Sequence, residues 1–405
     1  MYRILKNSLA LPGAFILLCM ALIVFLLTGG CSGSGEAKIG VILPLTGIRA
    51  HFGESMKKGI EMAVLEVNSS GTMKEKMICC FEDDCGDPGK AREAARRLIN
   101  DKKVRAIVGS YSNLCTLAVA EVAEAAKTPF ISPSSASDLI STSGYRWVFR
   151  MNAPAPHYAL TILDFLTNVM QVHNVAILYE NDDFGIKTSE MMKNYAKEMK
   201  CTVVADTMYD PTAEDFSPML KALQDKKPQA LLMISHIEDA VKLVRTSRML
   251  GLGRIYAGCG AGFATSKFIS LGKRDVEHVF TLTQWNAEVA WPGAEKFASN
   301  YKAKFGDTPE YHSAETYAAI QVLASAIGHK SGINRSELRQ RLKSIDVETV
   351  FGTIRFENYQ NYTNQNSHPL LIQQVQNGRF VLVWPQEYKK GDIIPALNSE
   401  PELKR

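Results

Sequence analysis

From Lys38 onward, short and continuously apolar runs alternate with amphipathic stretches of helical period. A run with no polar side is a strand covered on both faces, and such strands are parallel and joined by crossover helices. The pattern predicts strands at 38–43, 77–81, 104–108 and 129–132, with helices at 54–68, 90–100 and 114–127. Asn152-Ala-Pro-Ala-Pro156 interrupts it. It then restarts, with strands at 175–179, 202–206, 230–234, 254–257 and 279–283 and helices at 185–199, 217–226, 238–250 and 265–271. Helices at 291–305 and 314–329 follow; beyond Val347 come short strands, chiefly 370–374 and 380–384, and a polar end. No short unit repeats, which excludes a solenoid. The fold class is therefore α/β, built as two doubly wound parallel-sheet lobes.

At the other end, Arg3 and Lys6 precede an unbroken apolar run of fourteen residues, Ala14 to Leu27. That is short of the ~20 a spanning helix needs and matches the core of an export signal. Counted back past Gly13 and Pro12 the run lengthens, so a retained anchor helix is the alternative. Leu27-Thr28-Gly29-Gly30-Cys31 resembles the lipobox of bacterial lipoproteins, with Thr28 where that motif most often has Leu. The resemblance implies that residues 1–30 are removed and Cys31 is lipidated, each buried CH₂ then contributing ~0.8 kcal/mol of membrane binding. Residues 31–37 read as the lipidated Cys and a Gly/Ser tether, and Ser32 points to the outer membrane.

Composition narrows the function classes. Forty-six Lys and Arg against 42 Asp and Glu leave a net charge of +4, too balanced and scattered for an electrostatic nucleic-acid binder. No phosphate-cradling loop, HExxH, GxSxG or GxGxxG stands where its chemistry would need it. Gly258-Cys-Gly-Ala-Gly262 follows a strand but lacks the third glycine at the dinucleotide spacing. The pairs Asp83-Asp84 and Asp182-Asp183 read as solvated turn or capping residues. No enzyme, catalytic residue or cofactor is expected. Cys79, Cys80, Cys85, Cys115, Cys201 and Cys259 form no CxxC pair, and adjacent cysteines in a strand face opposite ways, so no metal site is expected either. Disulfides in an oxidising compartment and free buried thiols are both open uses.

The segments, taken in order, resemble a known family. Lys38-Ile-Gly-Val-Ile-Leu-Pro-Leu-Thr-Gly47, Gly59-Ile-Glu-Met-Ala-Val-Leu-Glu-Val-Asn68 and Glu82-Asp-Asp-Cys-Gly-Asp-Pro88 are similar to the opening of type I periplasmic binding proteins of the leucine/isoleucine/valine-binding group. Ile107-Val-Gly-Ser110, Pro129-Phe-Ile-Ser-Pro133, Asp182-Asp-Phe-Gly185, Tyr317-Ala-Ala319 and Val350-Phe-Gly-Thr-Ile-Arg-Phe356 continue the resemblance to about Trp384. It implies two lobes joined by a three-segment hinge, with crossings placed near Asn152, Gln284 and Val347. The lobes are then 38–152 plus 285–346 and 153–284 plus 347–388, with a polar tail at 389–405. The implied function is extracytoplasmic capture of a branched-chain amino acid or related small carboxylate for an ABC permease, by a monomer held to the membrane through its lipid anchor. A lipid-anchored sensor of the same fold is the alternative.

The same resemblance assigns the cleft. Ser112 or Asn113 caps a helix, and the family carries a carboxylate-binding hydroxyl near Asn113. The backbone at Ser134 and a Thr at the position of Ala136 hold carboxylate and amine, so this chain lacks a hydroxyl that Ser135 or Ser137 would replace. Phe52 flanks the ligand side chain and Tyr111 lines the same pocket. The Tyr of the family's YG pair is Phe184, a second aromatic position is His236, and the acid that meets the ammonium falls at Gly260. Either Glu238 or Asp239 substitutes for that acid, or the ligand is an aromatic or organic acid without an ammonium. A disulfide between Cys85 and Cys115 is also implied.

Overall fold

The computed structural model describes residues 35–395. The export signal, Cys31, Ser32 and the end of the tail lie outside the described residues, and no helix among those described is long and apolar enough to cross a membrane.

The first sheet begins with β1 (Glu36–Leu43), whose alternation shows why its strands read as unbroken apolar runs. Ile39, Val41 and Leu43 pack with Met56, Ile60 and Ile320 on one face, while Ile42 packs with Leu98 and Val119 on the other. Helix α1 (Ala50–Ser70), β2 (Lys76–Asp83), α2 (Pro88–Asn100), β3 (Ala106–Gly109), α3 (Asn113–Ala125), β4 (Phe130–Ser132), a short α4 (Leu139–Thr142) and β5 (Val148–Arg150) follow. All of these strands are parallel. The chain then runs through α5 (Ala155–Asp164), which continues as a π-helical turn, Phe165–Val169. Sequence reading left this region as an interruption. Pro156 lies in the first turn of α5, where a missing N–H costs nothing, so it starts a helix rather than breaking one.

The second sheet repeats the plan with β6 (Asn174–Glu180), α6 (Asp183–Glu198), β7 (Thr202–Tyr209), α7 (Ser217–Lys221), β8 (Ala230–Ile234), α8 (Ile237–Met249), β9 (Ile255–Cys259), α9 (Ser266–Gly272) and β10 (Phe280–Thr283). Val175 and Ile177 of β6 face one core, Ala176 and Leu178 the other. The chain returns to the first lobe through α10 (Ala294–Phe305), α11 (Tyr311–Ile327) and α12 (Arg335–Lys343). Helix α11 lies against α1 so closely that a Cβ at Gly59 would sit 2.2 Å from the Ser313 carbonyl oxygen.

The third passage between lobes corrects the sequence reading. Val347 falls in a separate antiparallel hairpin, β11 (Asp346–Thr349) with β12 (Gly352–Arg355). The next pair, β13 (Glu357–Tyr359) and β14 (Tyr362–Gln365), extends the first sheet through β5. Only then does the chain enter the second sheet as β15 (Leu371–Gln376) and β16 (Arg379–Trp384). The crossing is therefore between Gln365 and Leu371, and residues 347–365 belong with the first lobe. Short polar strands at a sheet edge carry little apolar signal, so their pairing was not visible in one dimension.

Side-chain amides tie the hinge segments together. Gln365 is buried; its Nε2 donates to the carbonyls of Asn152 (2.8 Å) and Asn366 (2.7 Å), and its Oε1 accepts from Ser141 (2.8 Å) and from Arg150 Nε. Asn366 Nδ2 donates to the Met151 carbonyl at 3.0 Å, and Gln284 Oε1 accepts from Ala153 N at 3.0 Å. Arg150 is 1 % exposed, and burial lowers its pKa to about 10. Replacing Gln365 leaves the buried Arg150 Nε and two carbonyls without that partner, so Q365A is expected to lose about 2–4 kcal/mol in urea denaturation. An unchanged midpoint would show that this network does not hold the hinge.

Candidate functional site

A cavity of about 200 Å³ lies between the lobes at the carboxyl ends of both sheets, where an open α/β sheet places its ligands. On the first lobe, Gly109 closes β3 with φ +127°, and a Cβ there would sit 2.0 Å from the Ile42 carbonyl oxygen. Only glycine lets β3 run past β1 and turn into α3. Ser112 caps that helix, its Oγ accepting from Cys115 N at 3.3 Å. Asn113 joins two loops and the opposite lobe: Oδ1 accepts from Ser135 Oγ (2.9 Å) and Ser137 N (3.2 Å), and Nδ2 donates to Asp183 Oδ2 (3.1 Å). Tyr111 faces the cavity and stacks on Phe52, with ring centroids 4.7 Å apart and planes 7° apart.

On the second lobe, Asp182 caps α6 with one oxygen, which accepts from Gly185 N at 2.7 Å. Its other oxygen meets Arg49 Nη2, from the loop after β1 in the first lobe, at 3.3 Å. Arg49 Nη1 also contacts His236 Nε2, and His236 Nδ1 contacts a Glu180 carboxylate oxygen. A carboxylate on one side and a guanidinium on the other fit the tautomer that donates from Nδ1 and accepts at Nε2. Burial pushes the Glu180 pKa up, but the hydrogen bond from His236 and the charge of Arg49 outweigh it, and the net shift is downward. Burial likewise opposes the charge on Arg49, yet Tyr111, Asp182 and Glu180 leave its pKa raised. Ligand atoms of Glu180, Asp182 and His236 lie within 4.8 Å of one another, a spacing that suits a cation, and the guanidinium meets that cluster.

The floor comes from α11. His312 is 1 % exposed, its Nδ1 has no partner, and burial pushes its pKa down to about 3, so the ring is neutral. Glu315, one turn on, is fully buried; burial raises its pKa well above the carboxylate range, although Ser134 Oγ donates to it.

Of the residues predicted from sequence, Tyr111, Ser112, Asn113, Ser134, Ala136, Phe184, His236 and Gly260 line the cavity. Phe52 and Ser135 stand one layer behind, supporting Tyr111 and Asn113. Gly260 has φ +105°, and a Cβ there would come within 3.2 Å of the Phe184 ring, so this backbone disfavours an acid at that position. Glu238 and Asp239 do not replace it: Glu238 pairs with Lys267 at 2.7 Å, and neither lines the cavity. Sequence reading missed Arg49, Glu180, Tyr158, Tyr311 and His312, and read Asp182 and Asp183 only as solvated turn or capping residues, a capping role that Asp182 does fill at the start of α6. Arg49 and Glu180 carried a usable signal, since Arg49 is a charged residue in the loop after β1 and Glu180 is the charged last residue of β6. Nothing local in the sequence marks Tyr311 and His312.

The Cys85–Cys115 disulfide is also corrected, because both are free thiols in the structure. Thr46 Oγ1 donates to Cys85 Sγ at 3.3 Å, while Cys115 is buried among Ala91, Leu98 and Val119.

Asp239 supplies a pH test. Burial first, then the charge of Glu180, raises its pKa to about 6, above the ~3.9 of an unfolded chain. The folded state therefore holds a proton that the unfolded state has released, and stability falls as pH rises from about 4 through about 6. D239N is expected to be more stable than wild type at pH 7.5 and no better at pH 3.5 in thermal denaturation. Equal differences at both pH values would reject this.

The comparisons with known proteins agree with this geometry. The periplasmic binding protein family model matches residues 36–379. Leu/Ile/Val-binding protein homolog 7 of Brucella melitensis is 26 % identical over 383 residues, covering 91 % of this chain and 96 % of that protein. A leucine-binding protein from Thermotoga maritima superposes with a TM-score of 0.77 at 25 % identity, covering 86 % of this chain and 98 % of that one. A solute-binding protein of an ABC transporter from R. palustris, in complex with benzoate, superposes with a TM-score of 0.76 at 19 % identity, over 90 % and 98 % of the two chains. With two parallel-sheet lobes, a cleft at their carboxyl ends and a family match over most of its length, this chain belongs to the periplasmic binding proteins.

Proposed function

We propose that this chain is an exported, lipid-anchored solute-binding protein that captures a small carboxylate-bearing solute and delivers it to an ABC permease. A branched-chain amino acid is the leading solute, as the name of the Brucella relative indicates for that protein. One observation carries the reading: a single cavity takes its walls from both lobes. A solute touching both walls is bound more tightly when the lobes are closed, so binding shifts the population toward closure, and closure is what a permease can read. The N-terminus of α3, capped by Ser112, supplies N–H groups suited to a carboxylate. Ser134, Ser135, Tyr111, Phe52 and His236 shape the remainder, and the protein does no chemistry on its guest.

A second reading, an organic acid without an ammonium, is supported by Ala136, Phe184 and Gly260, which together bring no polar side chain to the cavity. The R. palustris neighbour holds benzoate, so this fold does not by itself select amino acids. The chain acts as a monomer, tethered through Cys31 to the periplasmic face of the outer membrane.

Calorimetry with leucine, isoleucine, valine, benzoate and 4-methylpentanoate, paired with small-angle scattering, tests the reading. Saturable binding of at least one of these with a smaller radius of gyration is expected; no binding from the whole panel would overturn it. C31A is expected to lose incorporation of labelled fatty acid in the native host, and retained labelling would remove the anchor.

A further inference from the structure

The cleft carries its own cation. Arg49 is the only Lys or Arg among the lining residues described, against the carboxylates of Glu180, Asp182 and Asp183. Asp183 is paired with Lys187 at 2.6 Å, outside the cavity lining. Glu180 and Asp182 have Arg49, and His236 joins them. A solute bearing only a carboxylate would have to draw the guanidinium away and leave those two acids uncompensated in a half-buried site, an outcome that costs several kcal/mol.

We infer that Glu180, Asp182 and His236 form the subsite for an ammonium group of the solute, with Arg49 as the placeholder that turns to the solute's carboxylate when the ammonium enters. The inference rests on the solute-binding reading above and names the class of solute as a zwitterion. The exchange balances: guanidinium with Asp182 becomes ammonium with Asp182 and guanidinium with carboxylate, and no charge is stranded. The proton pattern balances as well. An ammonium has donors and no acceptor, as a guanidinium does, so the Nε2 of His236 goes on accepting while Nδ1 goes on donating to Glu180. Arg49 has more N–H groups than its contacts with Asp182 and His236 use, and its planar fork suits a carboxylate. Two independent features support a ligand here. Gly260, at positive φ against Phe184, is poorly suited to an acid, so a cationic group needs another partner. His312, 1 % exposed, lines the same cavity with its Nδ1 unpartnered.

The test uses the mature protein and matched sets: leucine, isoleucine or valine, the same skeleton without the amine (4-methylpentanoate for leucine), and the same skeleton without the carboxylate (3-methylbutylamine for leucine). Calorimetry is expected to show the amino acid binding about a hundredfold or more tighter than its des-amino partner. D182N, which keeps the helix cap, should weaken the amino acid by about tenfold, and R49Q should do the same while strengthening the amine relative to wild type. Circular dichroism of both variants separates a binding loss from misfolding, and R49Q stays informative because its two ligands move in opposite directions. Equal affinity for amino acid and des-amino acid in wild type would overturn the inference while leaving the solute-binding reading intact. Absence of binding by any member of any set would overturn both.

Discussion

Covering a strand on both faces is the constraint from which the rest of this molecule follows. β1 and β6 each send alternate side chains into two different cores, so neither can tolerate a polar face. Helices must then flank each sheet, the strands those helices connect run parallel, and the loops that follow them gather at one edge. Two such edges face each other across the cavity, and most lining residues belong to a strand's carboxyl end or to the loop or helix start that follows it. The site is a consequence of layer packing before any particular side chain is considered.

Within that frame the electrostatics are shared between lobes. Arg49 reaches from the first lobe to Asp182 and His236 of the second, and Asn113 reaches to Asp183. These are hydrogen bonds between partly exposed groups, each of modest worth, which is what a reversible closure requires. The hinge differs in kind. Its amide contacts, through Gln365, Asn366 and Gln284, are buried and link segments far apart in sequence. Permanent contacts sit at the hinge, and exchangeable ones sit at the cleft.

The strands and helices that pack a core were legible, because burial imposes a period that survives in one dimension. The π-helical continuation of α5, the edge pair β13–β14 and helix α12 were not. In α12 only Leu338 and Leu342 are buried, too few to mark a face. The first-lobe cleft residues were mostly found, since the resemblance carries them in contiguous motifs. On the second lobe Glu180 was missed and Asp182 was read only as a turn or capping residue, because it does serve as a helix cap and shows its second contact only when Arg49 is beside it.

The linear chain thus determined the fold class, the number of lobes and the loops that face the cleft, since hydrophobic periodicity and strand ends are properties of neighbouring residues. Tertiary structure alone decided which charges meet. Arg49 and His236 are 187 residues apart, and so are not neighbours in any local pattern. It also decided where the third hinge segment runs, that Cys85 and Cys115 stay apart, and that Gly260 is held at positive φ. In each case the physical reason is the same: the deciding partner is supplied by a distant segment, and packing, not local propensity, brings it into reach.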